Sequence, residues 1–177
     1  MWRWAASLSK ARRARLAAVG TILPLVERSQ RRLGSIPDAG WSDPYIVGFM
    51  MMLITIIARM EVGRIDSETI CHVQTKAWEG ITGQTNVIGE EVLLLSAANN
   101  RNFQIGCRNA VDFSSFLVSR SVLFRGDDDV EANSAFDFRE GSTDGELLNR
   151  PDVLAAWEDC FDMRLSLDHS SNMSAAL

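Results

Sequence analysis

Lysine is nearly missing from this chain of 177 residues. Only Lys10 and Lys76 occur, so the basic charge is almost all arginine. Histidine is as scarce: His72 and His169 are the only two. That excludes a histidine-rich metal site and obliges any Cys–His or Ser–His–Asp centre to use His72. The three cysteines, Cys71, Cys107 and Cys160, are odd in number and far apart, with no CxxC. Such usage argues against a disulfide framework and for free thiols in a reducing compartment, with the cytoplasm as the expected location. Neither GxGxxG nor GxxxxGK[ST] is present, which removes the glycine-rich phosphate loops. Gly80-x-x-Gly83 reads as helix-end punctuation. There is no internal repeat and no sustained heptad.

What the chain has is a long apolar stretch and a strong separation of charge. From Tyr45 to Ala58 no residue is charged. Asp43 is placed to cap a helix, Pro44 suits its first position, and Gly63 suits its end. The spacing predicts a helix over 43–62, about 30 Å long. Its apolar residues go all the way round, which implies protein on most sides. An uncharged run of 14 residues, followed by Arg59 and Glu61, fits a core helix better than a membrane span. Met50, Met51 and Met52 point about 100° apart on a helix, so they serve packing and not a shared copper(I) ion.

Net charge is −5, split between +7 over residues 1–34 and −12 over the remainder. Residues 1–19 read as a basic amphipathic helix, with Trp4, Leu8 and Ala11 on one stripe. Three roles compete for it. A secretory signal lacks a small-x-small cleavage site near 26–30. A helix lying on an anionic membrane would use Trp2 and Trp4 as anchors. A helix packing on its own domain or on a second subunit is the reading preferred. Nucleic acid is disfavoured by the overall acidity, although a local patch can bind phosphate. Gly20 and Pro24 interrupt the pattern, with Thr21 capping a second short helix through Arg32.

Farther along, a glycine- and proline-bearing loop covers 34–42. A helix over 67–81 carries Ile70, Val73, Ala77, Trp78 and Ile81 at helical spacing, and its short link makes it the antiparallel partner of the central helix. Asn86 caps a helix to Asn99. A helix over 103–122 is weakened by Gly106 and the Ser114–Ser115 pair, and residues 121–124 are an alternative strand. Residues 126–145 form a long acidic loop. A helix over 152–163 presents Val153, Leu154, Trp157, Cys160 and Phe161 inward. The tail over 166–177 reads as disordered.

Constellations with chemical meaning are few. Asp127, Asp129 and Glu131 alternate as in a calcium loop, but Ala132 and Phe138 stand where glycine and glutamate are needed. Cys71 and His72 diverge on a helix. Glu61, Glu68, Glu79, Glu90 and Glu91 lack the Glu-x-x-His pattern of a di-iron bundle, and Glu61 and Glu79 are expected at solvent edges.

The sequence therefore points to an all-α protein: a single domain of five or six helices around the central one, made of a basic segment (1–34) and a helical core (35–165). No catalytic residue, metal or cofactor is indicated. The expected role is a non-catalytic interaction or self-assembly module, homo-oligomeric or bound to another protein, through Trp2, Arg3, Trp4, Lys10, Arg12, Arg13 and Arg15. Removal of residues 1–19 is expected to leave a folded monomer. The alternatives are peripheral attachment to an anionic membrane through the same helix, and a small helical enzyme with a carboxylate and His72.

Overall fold

A computed structural model describes residues 2–85, 88–118 and 148–166, with the side chains of 2–7 excepted. The Asn86 cap, the strand over 121–124, the acidic loop, the tail beyond 166 and the side chains of Trp2, Arg3 and Trp4 lie outside the described residues. Seven helices are described: α1 (Trp2–Leu33), α2 (Asp38–Trp41), α3 (Pro44–Val62), α4 (Ser67–Thr82), α5 (Ile88–Ala97), α6 (Arg101–Val118) and α7 (Pro151–Trp157). α7 continues through a π-helical turn, Glu158–Asp162, into a last helical stretch over 163–166. No strand occurs among the described residues.

The all-α domain is built around α3, as the apolar run implies. Asp43 Oδ1 accepts hydrogen bonds from the amides of Tyr45 (2.9 Å) and Ile46 (3.1 Å), with Pro44 at the first helical position. Gly63 ends the helix at φ +71°, a conformation that favours glycine. The helix is long and apolar enough to cross a membrane, yet two thirds of its most apolar window is buried within the protein, against α1, α4 and α6. Arg164 closes its N-terminal end, donating to Asp43 Oδ2 at 2.9 Å and lying over the Tyr45 ring.

The most extensive contact joins α3 to α6, not to α4. The reason is a pair of glycines. A Cβ on Gly48 would overlap the carbonyl oxygen of Phe103, and a Cβ on Gly106 would overlap that of Tyr45. Each helix thus presses backbone into the other's notch. The Cys107 thiol donates to the Gly48 carbonyl across the crossing at 3.4 Å, and burial raises its pKa. Gly106, a weak point by helix propensity, is the residue that permits the contact. α4 packs chiefly on α1, where Gly80 faces the Val19 side chain. Gln74 ties it to α3 by donating to Thr55 Oγ1 at 2.8 Å.

α1 corrects the sequence reading in a second way. It runs unbroken from Trp2 to Leu33 with Pro24 inside. Proline removes one hydrogen bond and crowds the carbonyl four residues back, here that of Gly20. The burial of Ala14, Ala18, Ile22, Leu25 and Val26 on both sides of it offsets that cost. Those residues belong to the same core as α3. Removing 1–19 strips Ala11, Ala14, Ala17 and Ala18 from that core, so a folded remnant is no longer expected.

Aromatic rings fill the part of the core between α2, α3, α6 and α7. Phe49 lies against Tyr45, Phe113, Trp157 and Phe161, and Trp41 bridges Phe161 to Trp78. The π turn explains how α7 joins this cluster. Its wider coil lets the neighbours Phe161 and Asp162 both face inward, the ring towards Phe49 and the carboxylate towards α1. Trp157 Nε1 donates to Ser29 Oγ at 2.8 Å, within the same buried seam. Substitution Trp157→Phe keeps most of the ring packing but removes this buried hydrogen bond, leaving the Ser29 hydroxyl its bond to the Leu25 carbonyl (3.1 Å). A stability loss of about 1–2 kcal/mol is expected from urea titration.

Candidate functional site

The charge pattern of α1 becomes a geometry. Three of its arginines point into the chain's own fold. Arg13 reaches the C-terminal turn of α3, where Nε (3.0 Å) and Nη2 (2.8 Å) both donate to Glu61 Oε1. Nη2 also donates to the Glu61 carbonyl at 3.2 Å, one of the acceptors a helix end leaves free. Glu61 is 5% exposed, and its Oε2 has no partner. The expectation that Glu61 sits at a solvent edge is therefore overturned. A carboxylate one residue from the end of a buried helix is held there because Arg13 arrives from another element.

Arg28 and Arg32 do the same for α7. Arg28 Nη2 lies 2.8 Å from Glu158 Oε1, and Arg32 bridges Glu158 Oε2 (2.6 Å) and Asp162 Oδ2 (2.6 Å). The signal for this ladder was present in the sequence. Arg28 and Arg32 are four residues apart, as are Glu158 and Asp162, so each pair occupies one helix face. Nothing in the sequence said that the two faces meet. Asp162 is 2% exposed, and desolvation pushes its pKa up despite the lowering effects of Ser29 and Arg32.

That shift carries a pH consequence. A carboxyl whose folded pKa exceeds its unfolded value binds its proton more tightly when folded. Ionising it then costs stability as pH rises from the unfolded value, near 3.8, towards the folded one. Relative to Asp162→Asn, the wild type should lose stability over that interval and run parallel above it. Denaturant titrations of both proteins across pH 3–8 check this; a wild type that gains on the variant as pH rises through the same interval contradicts it.

The other basic side chains of α1 are placed differently. Lys10 and Arg12 are exposed and Arg15 is half-buried, and none has an ion-pair partner among the described residues. Leu8, Ala11, Arg12 and Arg15 follow the spacing i, i+3, i+4, i+7 and so share one face. His72 of α4 stands across from them, and the five line an open groove of about 230 Å³. Two of the proposed partner-binding arginines thus lie beside the histidine that the enzyme reading singled out. No hydrogen bond or ion pair joins His72 to a carboxylate among the described residues, and Cys71 beside it is exposed. The two buried carboxylates, Glu61 and Asp162, lie in other parts of the fold, each facing an arginine of α1. No three His, Cys, Asp or Glu side chains converge on a metal-sized site among the described residues.

Comparison with protein-family models, curated proteins and solved structures gives no match to this chain.

Proposed function

We propose that this protein is a non-catalytic helical interaction module that self-associates through the outer basic face of α1. The observation that carries this reading is the division of labour among the α1 cations. Arg13, Arg28 and Arg32 are consumed within the fold, whereas Lys10, Arg12 and Arg15 have no acidic partner among the described residues. Leu8 (57% exposed) and Leu16 (43% exposed) accompany them. Arginine is enriched among interface hot spots, and the two leucines add exposed apolar area beside it. The rest of the chain carries −12, so a second copy supplies the complementary surface. Isologous pairing of that kind would set each copy's α1 against acidic residues of the other.

The test is native mass spectrometry of the full-length protein. The wild type should give a multiple of 19.7 kDa. Arg12→Glu with Arg15→Glu should shift it to monomer, because Arg12 is exposed, Arg15 is half-buried and neither belongs to the hydrophobic core. A monomeric wild type, or a reversed variant that keeps its oligomeric mass, overturns the reading.

A further inference from the structure

We infer that the groove between α1 and α4 is a binding site for a phosphate-type oxyanion, held by Arg12, Arg15 and His72. Four observations meet there. The arginines come from one helix and the imidazole from another, so their donors approach the space from different sides. Among the described residues no carboxylate lines it, although every other α1 arginine with a described side chain is paired with an acid of the chain. Ala11, small and 8% exposed, forms the floor, which leaves room between longer side chains. Leu8 adds an apolar side chain to the lining.

The chemistry selects the ligand class. Guanidinium groups present several donors in a fixed plane and fork onto phosphate oxygens. A tetrahedral oxyanion offers acceptors in three dimensions, which suits donors arriving from two helices better than a planar carboxylate does. A groove of about 230 Å³ has the room of about eight liquid waters, enough for a phosphate and the first atoms of the group it esterifies. That organic part would lie against the Leu8 side chain. A free phosphate ester and the headgroup of an anionic lipid share this chemistry.

The inference does not depend on self-association. A monomer would bind the anion equally well, and a bound anion would compete with a second copy for the same two arginines. Because the two compete, phosphate is titrated at a protein concentration where native mass shows the monomer, which keeps the readouts separate.

The test follows the ring protons of His72 by NMR in the full-length protein. With only two histidines in the chain, His72→Gln assigns the signal at once. Inorganic phosphate is titrated against sodium chloride of equal ionic strength. A saturable shift of the His72 ring signals with phosphate and not with chloride is expected, with affinity falling roughly tenfold for each arginine removed in Arg12→Ala and Arg15→Ala. Arg12→Lys with Arg15→Lys keeps the charge without the fork, should fall between, and serves if the alanine variants melt early. A second arm uses phosphatidylcholine vesicles with and without phosphatidic acid. Arginine-dependent flotation with the acidic vesicles assigns the oxyanion to a lipid, and phosphate binding without flotation assigns it to a soluble ester; both support the site. Absence of a saturable phosphate shift together with absence of flotation overturns it, as does a shift that survives loss of both arginines.

Discussion

Gly106→Ala is expected to destabilise the protein by about 3 kcal/mol, one of the largest effects for so small a change. The added methyl carbon would overlap the Tyr45 carbonyl oxygen and press on the amide of Phe49. Both are backbone atoms of a helix buried on most sides, so neither can swing away as a side-chain tip would. Relief requires α3 and α6 to separate, and separation loosens the aromatic contacts of Phe49 with Phe113 and Trp157. For a protein of this size the loss corresponds to a fall in Tm of roughly 6–12 °C. Gly48→Ala should behave alike, because its methyl would meet the Phe103 carbonyl from the other side. Gly89 supplies the control. It lies in α5 with open space around it, so Gly89→Ala should be neutral or add up to about 1 kcal/mol through helix propensity. Thermal melts of the three variants decide the matter. A Gly106→Ala protein that melts with the wild type would mean that α3 and α6 do not cross backbone to backbone.

The second large effect concerns Arg13. Its removal to alanine leaves Glu61, with a side chain only 6% exposed, carrying a charge without a counterion. Loss of one partner from a fully buried pair costs about 3–5 kcal/mol. Arg13 itself is 52% exposed, so water reaches one side of the pair and the expected loss is nearer 2 kcal/mol. The charge, and not the lost contact, should dominate that figure. Glu61→Met alone removes the charge and the bare Oε2 together, and should cost little. The double variant, Arg13→Ala with Glu61→Met, should recover most of the stability that Arg13→Ala lost. A double-mutant cycle from urea titrations reads the coupling directly. Equal losses for Arg13→Ala in the presence and absence of Glu61 would show that the arginine acts only through its packing.

These two predictions mark where local reading of the sequence stops. Gly106 looks like a defect when judged by helix propensity, because propensity compares a helix with an unfolded chain and knows nothing of a neighbour. Pro24 looks like a break for the same reason. Glu61 looks like a surface residue because it is charged and near a helix end. In each case a partner distant in sequence reverses the local preference: Tyr45 for Gly106, the buried faces on both sides for Pro24, and Arg13 for Glu61. The candidate groove was half legible. The arginine-rich face of α1 can be seen in the sequence, but its meeting with His72 sixty residues later cannot.

What the sequence determined by itself is what depends on near neighbours. Asp43, Pro44 and Gly63 bound α3, and Gly83 and Asn99 turn the chain after α4 and α5. Capping groups act within a turn of where they stand, and an uncharged apolar run must be buried whatever surrounds it, so the bounds of α3 and its central place could be read directly. The tertiary structure alone decided that α6 rather than α4 is the closest partner of α3, that Arg13, Arg28 and Arg32 serve the fold, and that Lys10, Arg12 and Arg15 have no acidic partner among the described residues. Those outcomes turn on which surfaces meet at backbone distance. That is a property of glycine notches and charge ladders on two helices at once, and no single stretch of sequence contains it.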